Sequence, residues 1–116
     1  MMEVRPRIIR MYQRPDNVIP FTSWYKKLRD TRGQQKILAR IDRLKLGNLG
    51  DHRSVGQGVI ELRIAFGPGY RVYFGQEGEE IVILLLGGDK GTQDNDIKTA
   101  KAHWESYKEE KKYANR

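Results

Sequence analysis

The stretch Ile60-Glu61-Leu62-Arg63-Ile64-Ala65-Phe66-Gly67-Pro68-Gly69-Tyr70-Arg71-Val72-Tyr73-Phe74 decides how this chain folds. Ile60, Leu62, Ile64 and Phe66 alternate with Glu61, Arg63 and Ala65, and Tyr70, Val72 and Phe74 alternate with Arg71 and Tyr73. A period of two is that of a strand with one face buried. Gly67-Pro68-Gly69 predicts a tight turn between the two runs, and hence an antiparallel hairpin. With Phe66 set across from Tyr70, Ile64 pairs with Val72, Leu62 with Phe74, Arg63 with Tyr73 and Ala65 with Arg71. One face is then apolar, and the other carries Glu61, Arg63, Arg71 and Tyr73. A slip of one residue would mix the two sets, so the hydrophobic pattern specifies the faces.

Beyond the hairpin, Gln76–Glu80 reads as a further turn and Ile81–Leu86 as a central strand covered on both sides, ended by Gly87-Gly88-Asp89-Lys90-Gly91. From Gln93, Ile97, Ala100, Trp104 and Tyr107 recur at helical spacing and predict a C-terminal helix to about Lys112. Upstream, Phe21, Trp24, Tyr25 and Leu28 mark a helix over Phe21–Asp30, with Pro20 in its first turn. Gly33 interrupts, and Ile37, Ile41 and Leu44, with Leu38 beside them, mark a second helix that stops at Gly47-Asn48. The two predict an antiparallel helical hairpin. Arg7–Gln13, with Ile8, Ile9 and Met11, reads as a short strand before the turn cluster Arg14-Pro15-Asp16-Asn17. The expectation is a single α+β domain over residues 1–116. It has a small antiparallel or mixed sheet, an N-terminal helical hairpin and a C-terminal helix, with the helices against one face.

Composition excludes several classes. A chain of 116 residues makes one domain with a real core. It has no cysteine, which removes disulfide frameworks, thiol nucleophiles, thiolate zinc sites and iron–sulfur clusters. The longest apolar run, Ile81–Leu86, is too short to cross a bilayer. Met1–Pro15 carries four arginines and no apolar leader, so the expected location is the cytoplasm, without a membrane partner. The net charge of +7 is unevenly distributed: residues 1–50 hold twelve Lys/Arg against four Asp/Glu, and residues 51–90 four against six. Such asymmetry points to a polyanion-facing surface on one side, although basic small proteins also exist without one.

The charged face of the hairpin gathers Arg63, Arg71, Tyr73 and Glu61, and Lys90 leaves the end of the next strand in a glycine-flanked loop. Cations aimed at one point can bind a phosphodiester and stabilise the charge of its transition state. A solvated sheet face with ordinary ion pairs would show the same alternation. On the second helix, Arg32, Lys36, Arg40 and Arg43 fall on the side away from Ile37 and Ile41, as a stripe that tracks phosphates or as a plain solvent face. His52 lies in the loop Gly50-Asp51-His52-Arg53 that feeds the hairpin, within reach of acid–base or phosphate contact, whereas His103 reads as a surface or half-buried helix residue. No set of metal ligands is evident, and neither a metal nor a cofactor is expected.

The segments Gly58–Ile64, Gly67–Phe74 and Leu86–Gln93, with Trp24, Leu28-Arg29-Asp30, Arg40, Arg43-Leu44, Gly47-Asn48, Gly50-Asp51 and the downstream Asp96-Ile97, Ala100 and Trp104, resemble the addiction-module killer proteins. These are the HigB-like branch of the RelE/ParE toxin superfamily, and the resemblance runs from Phe21 to Tyr107. It implies a toxin co-produced with an antitoxin that masks it, acting as a metal-independent endoribonuclease on mRNA at the ribosome. There the RNA's own 2′-hydroxyl attacks the adjacent phosphate. Position by position, Arg63 and Arg71 match the strand arginines of the ribonuclease branch, and Lys90 matches its basic residue after the last strand. Tyr73 joins them from the sheet register. Arg32, Lys36, Arg40, Arg43 and His52 become candidate contacts to RNA or the ribosome. The C-terminal tyrosine of the best-known RelE toxins has no counterpart in Thr92-Gln93-Asp94-Asn95-Asp96. The alternative implied by the same superfamily is a ParE-type poison that binds a DNA topoisomerase and cuts no RNA.

Overall fold

The structure, a computed structural model, describes residues 5–114. Residues 1–4 of the N-terminal stretch read for a leader, and residues 115–116 of the tail, lie outside the described residues. In chain order the elements are β1 (Ile8–Met11), α1 (Pro20–Lys27), α2 (Thr31–Lys45), β2 (His52–Gly56), β3 (Val59–Ile64), β4 (Tyr70–Glu77), β5 (Ile81–Asp89) and α3 (Gln93–Ala114). A single 3-10 turn, Lys90–Thr92, joins β5 to α3. The five strands form one mixed sheet in the order β1-β5-β4-β3-β2, with β1 parallel to β5 and every other pair antiparallel.

The helices do not share a face. Phe21, Ile37, Ile41 and Leu44 of α1 and α2 pack on Leu62, Ile64, Tyr70, Val72, Phe74, Val82 and Leu84. Ala100 and Trp104 of α3 pack on Val59, Tyr73, Ile83 and Leu85, on the opposite side of the sheet. The expectation of helices against one face is therefore corrected: the face on which Tyr73 stands, read as open, is roofed by α3 over much of its length. The helical hairpin is not established as a unit either, since α1 rests mainly on β5, and α2 on β3 and β4. The two helices are joined through the Gln34 side chain, whose Nε2 donates to the carbonyl of Tyr25 at 3.0 Å.

The hairpin forms with its expected faces and a different register. Ile64 pairs with Tyr70, Leu62 with Val72, Ile60 with Phe74, Glu61 with Tyr73, and Arg63 with Arg71. The shift is two residues, which preserves both faces. Its cause is Phe66, which belongs to the connection: its amide donates to the Ile64 carbonyl at 2.8 Å, and its own carbonyl accepts from Gly69 at 3.0 Å. The turn thus takes in Ala65 and Phe66 as well as the two glycines and the proline.

Three other expectations are corrected by what packs where. The loop expected over Gly50-Asp51-His52-Arg53 gives way at His52 to β2, an edge strand paired to β3. Gly33 does not break a helix. It sits inside the first turn of α2, where a methyl group would meet the Tyr70 ring at 2.6 Å, and its amide donates to the capping Asp30 carboxylate at 2.9 Å. Gly87 and Gly88 do not end β5 but continue it through Asp89. An irregularity opposite Tyr73 and Phe74 gives β5 one extra residue, Leu85, and resets the alternation of the strand. Gly87 then faces Trp24 on the α1 side, where a Cβ would fall 2.1 Å from the indole. Gly88 faces α3, where a Cβ would fall 1.9 Å from the Asp96 carboxylate. Both positions exclude a side chain by contact alone.

Gly87→Ala is expected to destabilise the protein by about 3 kcal/mol, through overpacking against Trp24 in a closed interior. Gly78→Ala, at φ +64° but with nothing within 4 Å, is expected to lose only about 1 kcal/mol. Urea unfolding of both variants checks this, and a Gly87→Ala protein as stable as its parent would contradict the packing.

Candidate functional site

Arg63 and Arg71 stand directly opposite one another on β3 and β4, on the face toward α3. Like charges in this position repel, and in an ordinary sheet an opposite charge or an aromatic would take one of the two places. Arg63 is partly relieved: its Nη2 donates to Asp51 Oδ1 at 3.0 Å, and the Arg63 amide donates to the Asp51 carbonyl at 3.0 Å. Arg71 finds only carbonyls, with Nη1 donating weakly to Gly69 at 3.2 Å and Tyr70 at 3.3 Å. Among the described residues, the Nε of each arginine is buried without a hydrogen-bond partner. Lys90 is brought to the same place. A methyl on Gly69, at φ +80°, would touch Lys90 Cβ at 3.4 Å and Arg71 Nη1 at 3.5 Å, so the Arg71 guanidinium and the base of the Lys90 side chain flank one glycine. Of the expected site residues, Arg63 and Arg71 thus face each other, and Lys90 leaves the chain beside Arg71 at the end of the sheet, next to the start of α3.

Tyr73 and Glu61 lie beneath α3 rather than in solvent, and both are fully buried. Glu61 Oε1 accepts from Arg53 Nε at 2.9 Å, and Oε2 accepts from Gln93 Nε2 at 2.9 Å. Burial alone would raise the Glu61 pKa, but the hydrogen bonds from Gln93 and Arg53 outweigh it and hold the carboxyl below its ordinary value. The Tyr73 phenol is pushed far up, first by burial and then by the Glu61 carboxylate, so it stays protonated. Glu61 anchors β2 and α3 to the cationic face and has no free oxygen to offer. Asp96 differs from it. Its carboxyl occupies the space over Gly88, across from Arg71, and burial followed by the nearby Asp89 charge raises its pKa against the hydrogen bond from Thr92.

The other expected residues are separated from this cluster. His52 pairs with Leu62 and so belongs to the α2 side of the sheet, with Nδ1 2.8 Å from the Gly50 carbonyl. Its neighbour Arg53 pairs with Glu61 and so lies on the arginine face. His103 stacks on Tyr12 with ring centroids 4.9 Å apart, and burial, then the Arg14 charge, lowers its pKa. On α2, Arg32, Lys36 and Arg43 are exposed. The Arg40 guanidinium is turned inward, donating to the carbonyls of Arg63 at 2.6 Å, Leu49 at 2.7 Å and Asp51 at 3.0 Å. It fixes the backbone on which Arg63 and Asp51 meet. Among the described residues, no group of three or more His, Asp or Glu could hold a metal ion. No helix there is long and apolar enough to cross a membrane.

Fold and site define a small α+β protein that presents clustered cations at one end of its sheet. Residues 23–112 match the family model described as "Phage derived protein Gp49-like (DUF891)". The chain belongs to this Gp49-like phage-derived family, a toxin-like family of addiction modules. It is 55% identical over 83 residues to an uncharacterized protein of Haemophilus influenzae (strain ATCC 51907 / DSM 11121 / KW20 / Rd), across 72% of this chain and 84% of that one. No solved structure matches.

The Glu61 carboxylate carries a test. Because its pKa is depressed in the folded protein, its contribution to stability is complete above the unfolded value of about 4.5 and is lost as the pH falls through the lower folded value. Glu61→Gln should cost about 1–2 kcal/mol at pH 7 and progressively less below pH 4. Urea unfolding across pH 3–7 checks it, and a pH-independent difference would contradict an ionised Glu61.

Proposed function

We propose that this protein is the toxin of a type II toxin–antitoxin pair and that it inhibits growth by metal-independent cleavage of mRNA at the ribosome. The observation that carries the reading is the direct opposition of Arg63 and Arg71, with Lys90 beside them. A fold accepts such repulsion where an anion relieves it, and the phosphorane-like transition state of RNA cleavage is such an anion. Arg63 and Arg71 grip the scissile phosphate, and Lys90 supports the leaving oxygen. Tyr73 and Glu61 hold the platform from beneath. Glu61 is held by Arg53 and Gln93 and Asp51 by Arg63, so we assign proton exchange with the 2′-hydroxyl to Asp96, which stands across from Arg71 and is bonded by the neutral Thr92 hydroxyl rather than by a cation. The exposed Arg32, Lys36 and Arg43 contact phosphates of the RNA or the ribosome, with Arg40 behind them. His52 lies on the α2 side with this group.

The ParE-type alternative, a topoisomerase poison without nuclease activity, is favoured by one feature: neither histidine stands with the arginine cluster. Both readings need the cations, but only cleavage needs a proton acceptor among them. Arg71→Ala should abolish growth inhibition on induction while changing stability by no more than about 0.5 kcal/mol, since its loss removes repulsion and no core packing. Asp96→Asn should remain folded and bound to ribosomes but lose cleavage. A folded Arg71→Ala protein that still arrests growth refutes this site.

A toxin in its own cytoplasm requires a partner, and the +8 balance of residues 1–50 favours an acidic one. Co-expression with the adjacent gene should yield a stable complex through a tag on either protein and restore growth, with association slowing as salt rises. Recovery of the chain alone, with no neighbour restoring growth, would remove the addiction-module reading.

A further inference from the structure

Between α2 and the end of β3 lies a groove of about 270 Å³ that the cleavage site does not use. Lys36, Ala39, Arg40 and Arg43 form one wall, and Ala65 and Phe66 the other. No carboxylate lines it. Burial lowers the pKa of Arg40, and the charge of Arg43 beside it on the same wall adds to this, with Asp51 behind Arg40 offsetting it in part. Asp42, the acid inside this helix, lies on a different face and is engaged by Lys45 at 3.7 Å. Arg40 is immobilised by its three carbonyls, and its Nε is buried without a partner among the described residues. Arg43 and Lys36 remain exposed.

Phe66 gives the groove a floor. Its ring is half-buried, the closed 65–69 turn fixes its backbone, and Lys36 Nζ stands 5.8 Å from the ring centroid. Small residues, Ala39 and Ala65, leave the space beside it unobstructed. A fixed guanidinium, two exposed cations and an aromatic ring flanked by alanines have the composition of a nucleotide site, in which arginine takes phosphate and the ring takes a base. The volume lies close to the roughly 300 Å³ lower limit of small-molecule pockets, enough for a phosphate and part of its nucleoside. Across the same 65–69 turn, Arg71 and Lys90 flank Gly69, so one strand laid over the turn can touch both places.

We propose that this groove is a second phosphate site, which holds a nucleotide of the RNA strand away from the cleaved bond with its base on Phe66. The proposal rests on the ribonuclease reading for the source of the strand, and on the groove alone for its chemistry.

The test is NMR titration of the ¹⁵N-labelled chain with inorganic phosphate, with uridine 5′-monophosphate and with a 2′-O-methyl single-stranded oligonucleotide that cannot be cut. All three should shift the amides of Ala39, Arg43, Ala65 and Phe66 with saturation, the oligonucleotide binding most tightly. Arg43→Gln should weaken all three by about tenfold, and Lys36→Gln, with well-dispersed spectra, serves if that variant does not fold. Phe66→Leu should weaken the monophosphate and the oligonucleotide by at least about fivefold while sparing inorganic phosphate. Shifts that do not saturate or that map elsewhere overturn the site. An equal loss for all three probes in Phe66→Leu overturns the base contact. A monophosphate that binds as tightly as the oligonucleotide overturns the strand as the source, and a glutamate-rich peptide that outcompetes the oligonucleotide overturns RNA as the occupant. Groove binding in a protein that leaves cellular mRNA intact overturns the nuclease and keeps the phosphate site. Cleavage without groove binding overturns the site alone.

Discussion

Strand β5 has to be covered on both faces, and the fit of two helices onto one strand governs the rest of the molecule. The extra residue at Leu85 sets Gly87 toward α1 and Gly88 toward α3. The Trp24 indole enters at the first glycine and the Asp96 carboxyl at the second, each closer than any side chain there would permit. A helix seated at each glycine fixes where α3 starts, and so fixes the 3-10 turn that carries Lys90. Trp104 repeats the device farther along α3, against Gly75, where a Cβ would lie 2.4 Å from its ring. The cationic cluster is thus placed by packing that contains no cation.

Charge is arranged around that frame with a consistent division. Residues held in place by hydrogen bonds build the platform: Glu61 between Arg53 and Gln93, Arg40 against three carbonyls, and Asp30 with the Tyr70 hydroxyl at 2.7 Å. The Tyr70 phenol is pushed up to about 12 by burial and by that carboxylate, so the bond persists across the physiological range. At the end of the sheet Arg63, paired with Asp51 on its other side, faces Arg71, whose guanidinium meets carbonyls and no carboxylate among the described residues. Repulsion held in place by a rigid sheet is preorganisation: the groups do not have to move to meet an incoming anion.

The sequence alone reveals which residues share a face, because an alternating pattern survives any even shift of register, and the Arg63, Arg71 and Lys90 cluster rests on that alternation and on the resemblance. It does not reveal the register itself, since Phe66 is as apolar as a strand residue and only the turn geometry takes it out of the ladder. Strand β2 is illegible for a different reason: as an exposed edge it offers His52, Arg53 and Ser54 with the single apolar Val55, and pairing through backbone groups leaves no periodicity. Gly87 and Gly88 have the composition of a strand end, and their real role depends on Trp24, far upstream, and on how the first turn of α3 folds Asp96 back over the strand. In the same way, spacing puts Arg40 in a stripe with Lys36 and Arg43 but says nothing of the carbonyls that turn its guanidinium inward. The burial of Tyr73 and Glu61 likewise depends on α3 crossing a face that alternation alone leaves open.

The central claim is that the opposed arginines serve cleavage of translated RNA. Primer extension on cellular mRNA a few minutes after induction tests it most directly. The account predicts discrete new 5′ ends within translated regions, appearing before growth stops. Intact mRNA accompanied by a DNA-damage response would contradict it and assign the same cations to a topoisomerase poison.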